Sequence, residues 1–316
     1  MNEQQPTISV VIPVYNSATI LPELVRQLEE ILPTLAPAHE IILVNDGSRD
    51  DSWLVIQELA ANITTVRGFT MMRNYGQHNA LLCGIRAARQ QVVITMDDDL
   101  QHPPHEIPRL LAELSAGYEV VYGFPRKEEH GLLRSLASQM TKIALQGAMG
   151  ASTARKISAF RAFPTRLRAA FADYRSPFVS IDVLLTWGAT RFTAINVQHD
   201  PRRSGASNYT FRKLLTHAFN MMTGFSVVPL QLASFLGFAC ALFGLLILLY
   251  VLGRYLLLGY SVPGFPFLAS IIAIFSGAQL LALGIIGEYL ARIHFRMMER
   301  PTYAVGETTD QGGVHD

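Results

Sequence analysis

Asp97-Asp98-Asp99-Leu100-Gln101-His102-Pro103 directly follows the apolar, β-branched run Gln91–Met96, which reads as a buried strand. Three carboxylates at the end of a buried strand repel one another, so the position calls for a positive partner. Two acids at spacing i, i+2 and an amide oxygen at i+4 form a hard-oxygen set, Asp97, Asp99 and Gln101, suited to Mg²⁺ or Mn²⁺. A cation held there neutralises a leaving diphosphate. A solvated acidic turn is the plain alternative, and the remainder of the chain decides between the two.

The elements that must position these acids alternate. Ile8–Asn16 reads as a strand running into a loop, Ala18–Leu32 as a helix, Glu40–Ser48 as a strand ending in a turn, and Asp51–Ala61 as a second helix. Val66–Met72 is a third strand, Asn74-Tyr75-Gly76 leads into a helix through Arg89, and Val92–Met96 is the fourth strand. Pro104–Ala116 reads as a helix and Glu119–Gly123 as a short strand. This order predicts an α/β, Rossmann-like and mostly parallel sheet covered by helices. Its polar strand ends lie where open α/β sheets place ligands.

Composition divides the 316 residues in two. The chain is 50% apolar, with a mean hydropathy of +0.24, yet residues 1–210 have the make-up of a soluble domain. No Asp, Glu, Lys or Arg occurs between Lys213 and Arg254, or between Arg254 and Glu288. Residues 227–253 and 265–287 are each long enough to cross a hydrocarbon core of about 30 Å. Small residues in the second span (Ser270, Ser276, Gly277, Ala278, Gly284, Gly287) permit close helix packing. Residues 211–226, led by Arg212 and Lys213, read as an interfacial amphipathic helix. For Leu132–Met149 a core-facing and an interfacial helix both stand. Arg292, Arg296 and Arg300 follow the second span. Positive-inside logic therefore predicts a multi-pass protein of the inner cell membrane, with the catalytic domain and both ends of the chain cytoplasmic. Met1–Thr7 is polar and carries no signal-peptide pattern, so the spans themselves are expected to direct insertion. Residues 227–305 are taken as the hairpin with its juxtamembrane end, and 306–316 as a disordered tail. Cys83 and Cys240 form no disulfide framework. The net charge of +1, without a basic aromatic-interleaved run, gives no reason to expect nucleic acid.

Val11-Ile12-Pro13-Val14-Tyr15-Asn16, Val44-Asn45-Asp46-Gly47-Ser48, Arg73-Asn74-Tyr75-Gly76-Gln77 and Asp97–Pro103 occur in this order and at these separations. Together they resemble a family 2 glycosyltransferase of the GT-A fold. Arg202–Tyr209 is similar to the RxxGxSKY motif of the polyprenyl-phosphate glycosyltransferases, and Gly287–Arg292 with Arg300-Pro301-Thr302-Tyr303 resembles the end of their second membrane helix. That group includes the dolichyl-phosphate mannose synthase, GtrB and ArnC types.

The resemblance implies a role for each piece. Pro13, Tyr15 and Asn16 would lie against the base and ribose of a nucleotide sugar. Asp46 would accept hydrogen bonds from base or ribose, an Asx turn with Gly47-Ser48 being the alternative. Arg73 would pair with phosphate, Asn74 belongs to the same donor-binding run, and Gly76 would permit a close backbone approach. Asp97 would touch both sugar and metal, and Asp99 and Gln101 would complete the metal site. Asp98, where relatives often carry Ala, joins the donor-binding set as a neighbour that raises local negative charge, not as a metal ligand. Arg126, Arg134 and Ser138 would receive the phosphate of a polyprenyl acceptor such as undecaprenyl phosphate. Arg202 and Ser207 would hold the donor diphosphate or close over it. The Arg73–His78 run most resembles the ArnC-like branch, which implies UDP rather than GDP as the donor nucleotide. Relatives of this group assemble as tetramers.

A phosphate monoester has a second pKa of about 6 and is already ionised at pH 7, so its oxygen needs no base to attack the anomeric carbon. The expected reaction is one in-line displacement with inversion. Three departures from the pattern stand out. Ser17 replaces a Glu that often follows the Asn, Asn208 replaces the motif's Lys, and Lys156–Ala159 carries no acid ahead of Phe160-Arg161. A processive polysaccharide synthase fits less well, because neither Trp53 nor Trp187 follows an Arg and only two spans are present. A scaffold that keeps the fold without turnover is the alternative from a different class.

Overall fold

Each central strand carries apolar residues on both faces, and the fold follows from burying both. The structure, a computed structural model, describes residues 5–125, 156–198, 228–258, 264–298 and 300–310. The chain forms two units: Met1–Leu215 with Glu299–Asp316, and Thr216–Met298.

In the first unit the order is β1 (Ile8–Val14), α1 (Leu21–Leu35), β2 (His39–Asn45), α2 (Ser52–Asn62), β3 (Val66–Met71), α3 (Gln77–Ala87), β4 (Val92–Thr95), a 3₁₀ turn (Pro104–Glu106), α4 (Ile107–Ser115), β5 (Val120–Pro125), β6 (Arg161–Pro164), a second 3₁₀ turn (Thr165–Phe171), α5 (Ile181–Thr186) and β7 (Phe192–Val197). After the second unit the chain adds β8 (Val305–Thr308). The strands form one sheet ordered β7-β5-β6-β4-β1-β2-β3-β8. β4-β1-β2-β3 are parallel, as are β5 and β7, whereas β6 and β8 run antiparallel to their neighbours. The mostly parallel sheet is the predicted one. β6, β7 and β8 were not foreseen as strands.

Alternation sorts side chains between two cores. Ile8, Val10, Ile12 and Val14 of β1 pack in a cluster with α1, Ile56 of α2 and Leu110 of α4, while Val11 packs with Leu81, Leu82 and Ile85 of α3 and Leu184 of α5. The amphipathic α1 buries Leu21, Leu24, Val25, Leu28 and Leu32 completely, each worth about 1.5–3 kcal/mol of transfer free energy. Because β1 lies between β2 and β4, the strand order reverses there, and a crevice opens at the carboxyl ends of β1 and β4.

The disordered tail expected from residue 306 is overturned for the described residues 306–310. β8 pairs with the β3 edge, Trp53 Nε1 donates to Glu307 Oε2 at 2.9 Å, and Gly68 N donates to Thr309 Oγ1 at 2.8 Å. Arg67 donates to Asp310 from Nε (2.8 Å) and Nη2 (2.6 Å), and to Glu40 from Nη1 (2.6 Å). Polar partners, not apolar bulk, hold this segment, and residues 300–310 therefore belong with the first unit instead of with the hairpin.

The second unit contains α6 (Val228–Leu258) and α7 (Phe265–Met297). Both contain windows long and apolar enough to cross a membrane, Leu230–Arg254 and Ile274–Ala291, and those windows are not buried within the protein. The helices outrun the sequence-derived spans, which stop at 253 and 287. The expected interfacial helix at 211–226 and the helix at 132–149 lie outside the described residues.

Candidate active site

Three loops meet at the crevice. The β1 loop reverses at Asn16, which has φ +56°, a left-handed conformation that Asn tolerates. Ser48 Oγ accepts from Asn16 N (3.0 Å), Asn16 Oδ1 accepts from Arg49 N (2.8 Å), Ser52 Oγ accepts from Ser17 N (2.9 Å), and Asp50 Oδ2 accepts from Ala18 N (3.1 Å). The β2 loop and the first residue of α2 thus satisfy the backbone donors of Asn16, Ser17 and Ala18. Gly47 has φ +62°, and a Cβ there would stand 2.6 Å from Asn74 N and 2.7 Å from the Arg73 carbonyl carbon. Only glycine lets the β2 loop abut the 73–76 segment so closely.

That contact explains Asp46. Its Oδ1 accepts from Tyr75 N (2.7 Å) and its Oδ2 from Gly76 N (2.9 Å). The Asx turn in this loop belongs to the preceding residue, since Asn45 Oδ1 accepts from Ser48 N at 3.1 Å. Burial pushes the Asp46 carboxyl up to about 6 in spite of its two backbone donors, which act in the opposite direction. Gly76 has φ +100° and open space where a Cβ would project, so within the chain its glycine serves the backbone angle.

The acid loop follows β4. Asp97 Oδ1 accepts from Gln77 Nε2 (2.5 Å), and Asp99 Oδ1 accepts from Gln101 N (3.1 Å). Leu100, at φ +57°, buries its side chain in the core, which holds this unfavourable backbone in place. Asp98 Oδ2 accepts from Tyr15 N (3.1 Å) and Ser17 Oγ (2.6 Å). Burial raises the Asp98 carboxyl above its ordinary value, with the hydrogen bonds from Ser17 and Tyr15 opposing that shift.

A cavity of about 290 Å³ is lined by Pro13, Val14, Tyr15, Asp46, Asn74, Gly76, Gln77, Asp97, Asp98 and Asp99. It brings together eight residues singled out from sequence, from the ends of β1, β2, β3 and β4. Asn16, Arg73 and Gln101 do not line it. Arg73 instead lays its guanidinium 4.7 Å above the Tyr75 ring. Arg126, Arg134, Ser138, Arg202 and Ser207 lie outside the described residues. Gln77 is the residue that sequence reasoning missed as a site residue, although it closes the Arg73–Gln77 run. Among the described residues no three His, Cys, Asp or Glu side chains converge as a metal cage. Two hard carboxylates on one cavity wall fit the kind of Mg²⁺ or Mn²⁺ site that the substrate's phosphates complete. The Phe160-Arg161 pair, which has no acid ahead of it, obtains one from α5: Arg161 Nη1 pairs with Asp182 at 2.5 Å, both buried, and Tyr122 Oη donates to Asp182 at 3.1 Å.

A parallel sheet whose order reverses over an acid-lined cavity, with an antiparallel strand set between β4 and β5, is the architecture of a GT-A glycosyltransferase. Residues 9–175 match the family described as Glycosyl transferase family 2, and the chain belongs to that family. It is 35% identical over 326 residues to the undecaprenyl-phosphate 4-deoxy-4-formamido-L-arabinose transferase of Shewanella sediminis (strain HAW-EB3), covering 100% of this chain and 98% of the relative. It is 36% identical to the protein of the same name from Pseudomonas aeruginosa (strain LESB58), over 94% of this chain and 89% of that one. Among solved structures, glucosyl-3-phosphoglycerate synthase from Mycobacterium tuberculosis, in complex with Mn²⁺, UDP and phosphoglyceric acid, shares the fold with a TM-score of 0.50 at 18% identity, over 69% of this chain and 76% of that one.

Proposed function

We propose that this glycosyltransferase moves one monosaccharide from a UDP-sugar to undecaprenyl phosphate or a similar polyprenyl phosphate, with inversion at the anomeric carbon. The observation that carries the donor half is the convergence of Asp97, Asp98 and Asp99 with Asp46 and Tyr15 on one cavity at the strand ends. The acceptor half is supported by relatives whose names specify undecaprenyl phosphate, and by two apolar helices long enough to cross a membrane. The spans and the arginines that flank them support a protein of the inner membrane with a cytoplasmic catalytic domain.

In this reading Tyr15 offers a half-exposed ring to the base, and Asp46, anchored by Tyr75 N and Gly76 N, turns its remaining lone pairs to base or ribose. Gln77 orients the Asp97 carboxylate through their hydrogen bond. Asp97 and Asp99 would hold Mg²⁺ or Mn²⁺, which when bound supplies charge neutralisation for the diphosphate leaving group. Arg202 and Ser207 would hold that diphosphate as well. Arg126, Arg134 and Ser138 would hold the acceptor phosphate, whose oxygen is ionised at pH 7 and attacks without a protein base.

The test is turnover by the purified full chain in detergent with Mn²⁺ or Mg²⁺, undecaprenyl phosphate and a panel of UDP- and GDP-sugars. The panel includes the 4-deoxy-4-formamido-L-arabinose of the relatives' names. Nucleoside diphosphate release and lipid mass are followed together. A lipid that gains one sugar, only with metal and from a UDP donor, is the expected result. Transfer from GDP-sugars alone would overturn the donor assignment. Nucleotide binding without product across the panel would overturn the choice of sugar or acceptor, and no metal or nucleotide binding at all would favour the non-catalytic scaffold.

A further inference from the structure

The β1 loop and the acid loop are joined by a single carboxylate oxygen. Asp98 Oδ2 takes the Tyr15 amide and the Ser17 hydroxyl at once, at 3.1 and 2.6 Å. Ser17 is itself buried, and its amide is held by Ser52 Oγ at 2.9 Å. The side chain of Asp98 is thereby occupied on the side facing β1. Its neighbours Asp97 and Asp99 make their own contacts, to Gln77 Nε2 and Gln101 N. Asp98 thus spans the gap between the β1 loop and the acid loop.

We infer that Asp98 is a positioning residue for donor binding: through Tyr15 N and Ser17 Oγ it fixes the turn that presents Tyr15 to the cavity, and it works as a pair with Ser17. The inference rests on the reading of this cavity as the donor site. Positions 17 and 98 are in direct contact, and Asp98 supplies the carboxylate of this junction. A glutamate side chain at position 17 carries its oxygens two bonds beyond the place of the serine oxygen and extends into the space that the Asp98 carboxylate fills. Asp98 together with such a glutamate would set two carboxylates at one partly dry junction, which is unfavourable.

The experiment compares the full chain with Asp98→Ala, Ser17→Ala, Ser17→Glu and the double exchange Ser17→Glu/Asp98→Ala. Binding of UDP with Mn²⁺ is read by calorimetry, donor KM and kcat are read in turnover, and amide exchange is read over residues 14–18. Asp98→Ala should weaken UDP about 10- to 100-fold, the loss expected when a charged acceptor is taken from two donors. It should raise donor KM more than it lowers kcat, and speed exchange at the Tyr15 amide. Ser17→Ala should do the same to a smaller degree, and Ser17→Glu should bind UDP more weakly than Ser17→Ala. The double exchange should recover UDP binding to within about 3-fold of the wild type and restore amide protection. Wild-type UDP affinity and exchange in Asp98→Ala, or a double exchange no better than Asp98→Ala, would overturn the pairing. A wild-type chain that binds no UDP would instead overturn the donor reading, and the amide exchange would still decide whether Asp98 holds the Tyr15 turn.

Discussion

Gly47→Ala is the substitution that tests how the site is assembled. Two costs add. At φ +62° an alanine pays about 1–2 kcal/mol for the left-handed conformation. Its Cβ would also stand 2.6 Å from Asn74 N, a backbone atom that no rotamer change can move aside. Relief to an ordinary contact of about 3.4 Å requires the 73–76 segment to retreat by about 0.8 Å. The bonds from Tyr75 N and Gly76 N to Asp46, now 2.7 and 2.9 Å, would then lengthen to about 3.5 Å or more, beyond useful hydrogen-bond range. Loss of one such bond to a buried carboxylate costs about 1.5–3 kcal/mol, so the variant should be destabilised by about 3–5 kcal/mol. In a domain of this size that lowers the melting temperature by roughly 10 °C. Both tryptophans, Trp53 and Trp187, lie in the first unit, so intrinsic fluorescence in detergent reports the melting of that unit alone. Calorimetry with UDP and Mn²⁺ should show binding weakened at least tenfold. A melting temperature within about 2 °C of wild type, with UDP affinity unchanged, would refute the close loop contact and the anchoring of Asp46 that depends on it.

Four further outcomes are expected. With its carboxyl raised to about 6, Asp46 takes up a proton and loses acceptor capacity as pH falls below that value, although burial itself favours the neutral form; UDP affinity should therefore drop between pH 7.5 and pH 5 by more in wild type than in Asp46→Asn, and parallel profiles would refute the assignment. Asp99→Asn keeps an oxygen for Gln101 N but removes a charge, so metal-dependent turnover should fall by roughly two orders of magnitude or more with melting unchanged; near-wild-type turnover at ordinary Mn²⁺ would count against the metal site. Truncation after Arg300 strips β8 from the sheet edge and leaves Arg67 and Glu40 without Asp310, and should lower the fluorescence melting point by more than about 10 °C. Asp310→Asn should cost about 1.5–3 kcal/mol at neutral pH. Arg67 holds the Asp310 carboxyl below its ordinary value, so this contribution is full above pH 3.8 and fades as the pH falls further; a variant as stable as wild type at pH 7 would refute it.

The parallel core was legible because β1, β2 and β4 each carry a short apolar run, Val10–Val14, Ile41–Val44 and Val92–Ile94, followed by polar residues, the pattern expected of a strand buried on both faces. The helix limits shifted by a few residues, as with α3, which stops at Ala87 where Arg89 was expected. β6 was hidden because Arg161 sits in a four-residue strand, and a buried arginine signals its place only through Asp182, twenty-one residues away in sequence. β8 was hidden for the opposite reason. Val305–Thr308 has little apolar content, and its strand form depends on Arg67, Trp53 and Gly68, more than two hundred residues earlier. In the cavity, carboxylates at strand ends announced themselves by type and spacing. What spacing could not convey was which oxygen is already in use: Asp46 is taken by Tyr75 and Gly76, Asp97 by Gln77, and Asp98 by Tyr15 and Ser17.

Those commitments bear on how the site works. Asn16 in the β1 loop and Leu100 in the acid loop both hold left-handed backbones that cost about 1–2 kcal/mol in an ordinary residue. Such conformations persist only where the surroundings over-determine them. For Asn16 the constraint is a set of bonds with the β2 loop, and for Leu100 it is burial of its side chain in the hydrophobic core. Neither constraint involves a ligand. The two loops are therefore set by the fold before a donor arrives, with Asp98 bridging them. An acid-lined cavity prepared this way needs little rearrangement when charge develops on a leaving group, and in a displacement whose nucleophile is already ionised, alignment and charge stabilisation are the contributions left for the protein to make.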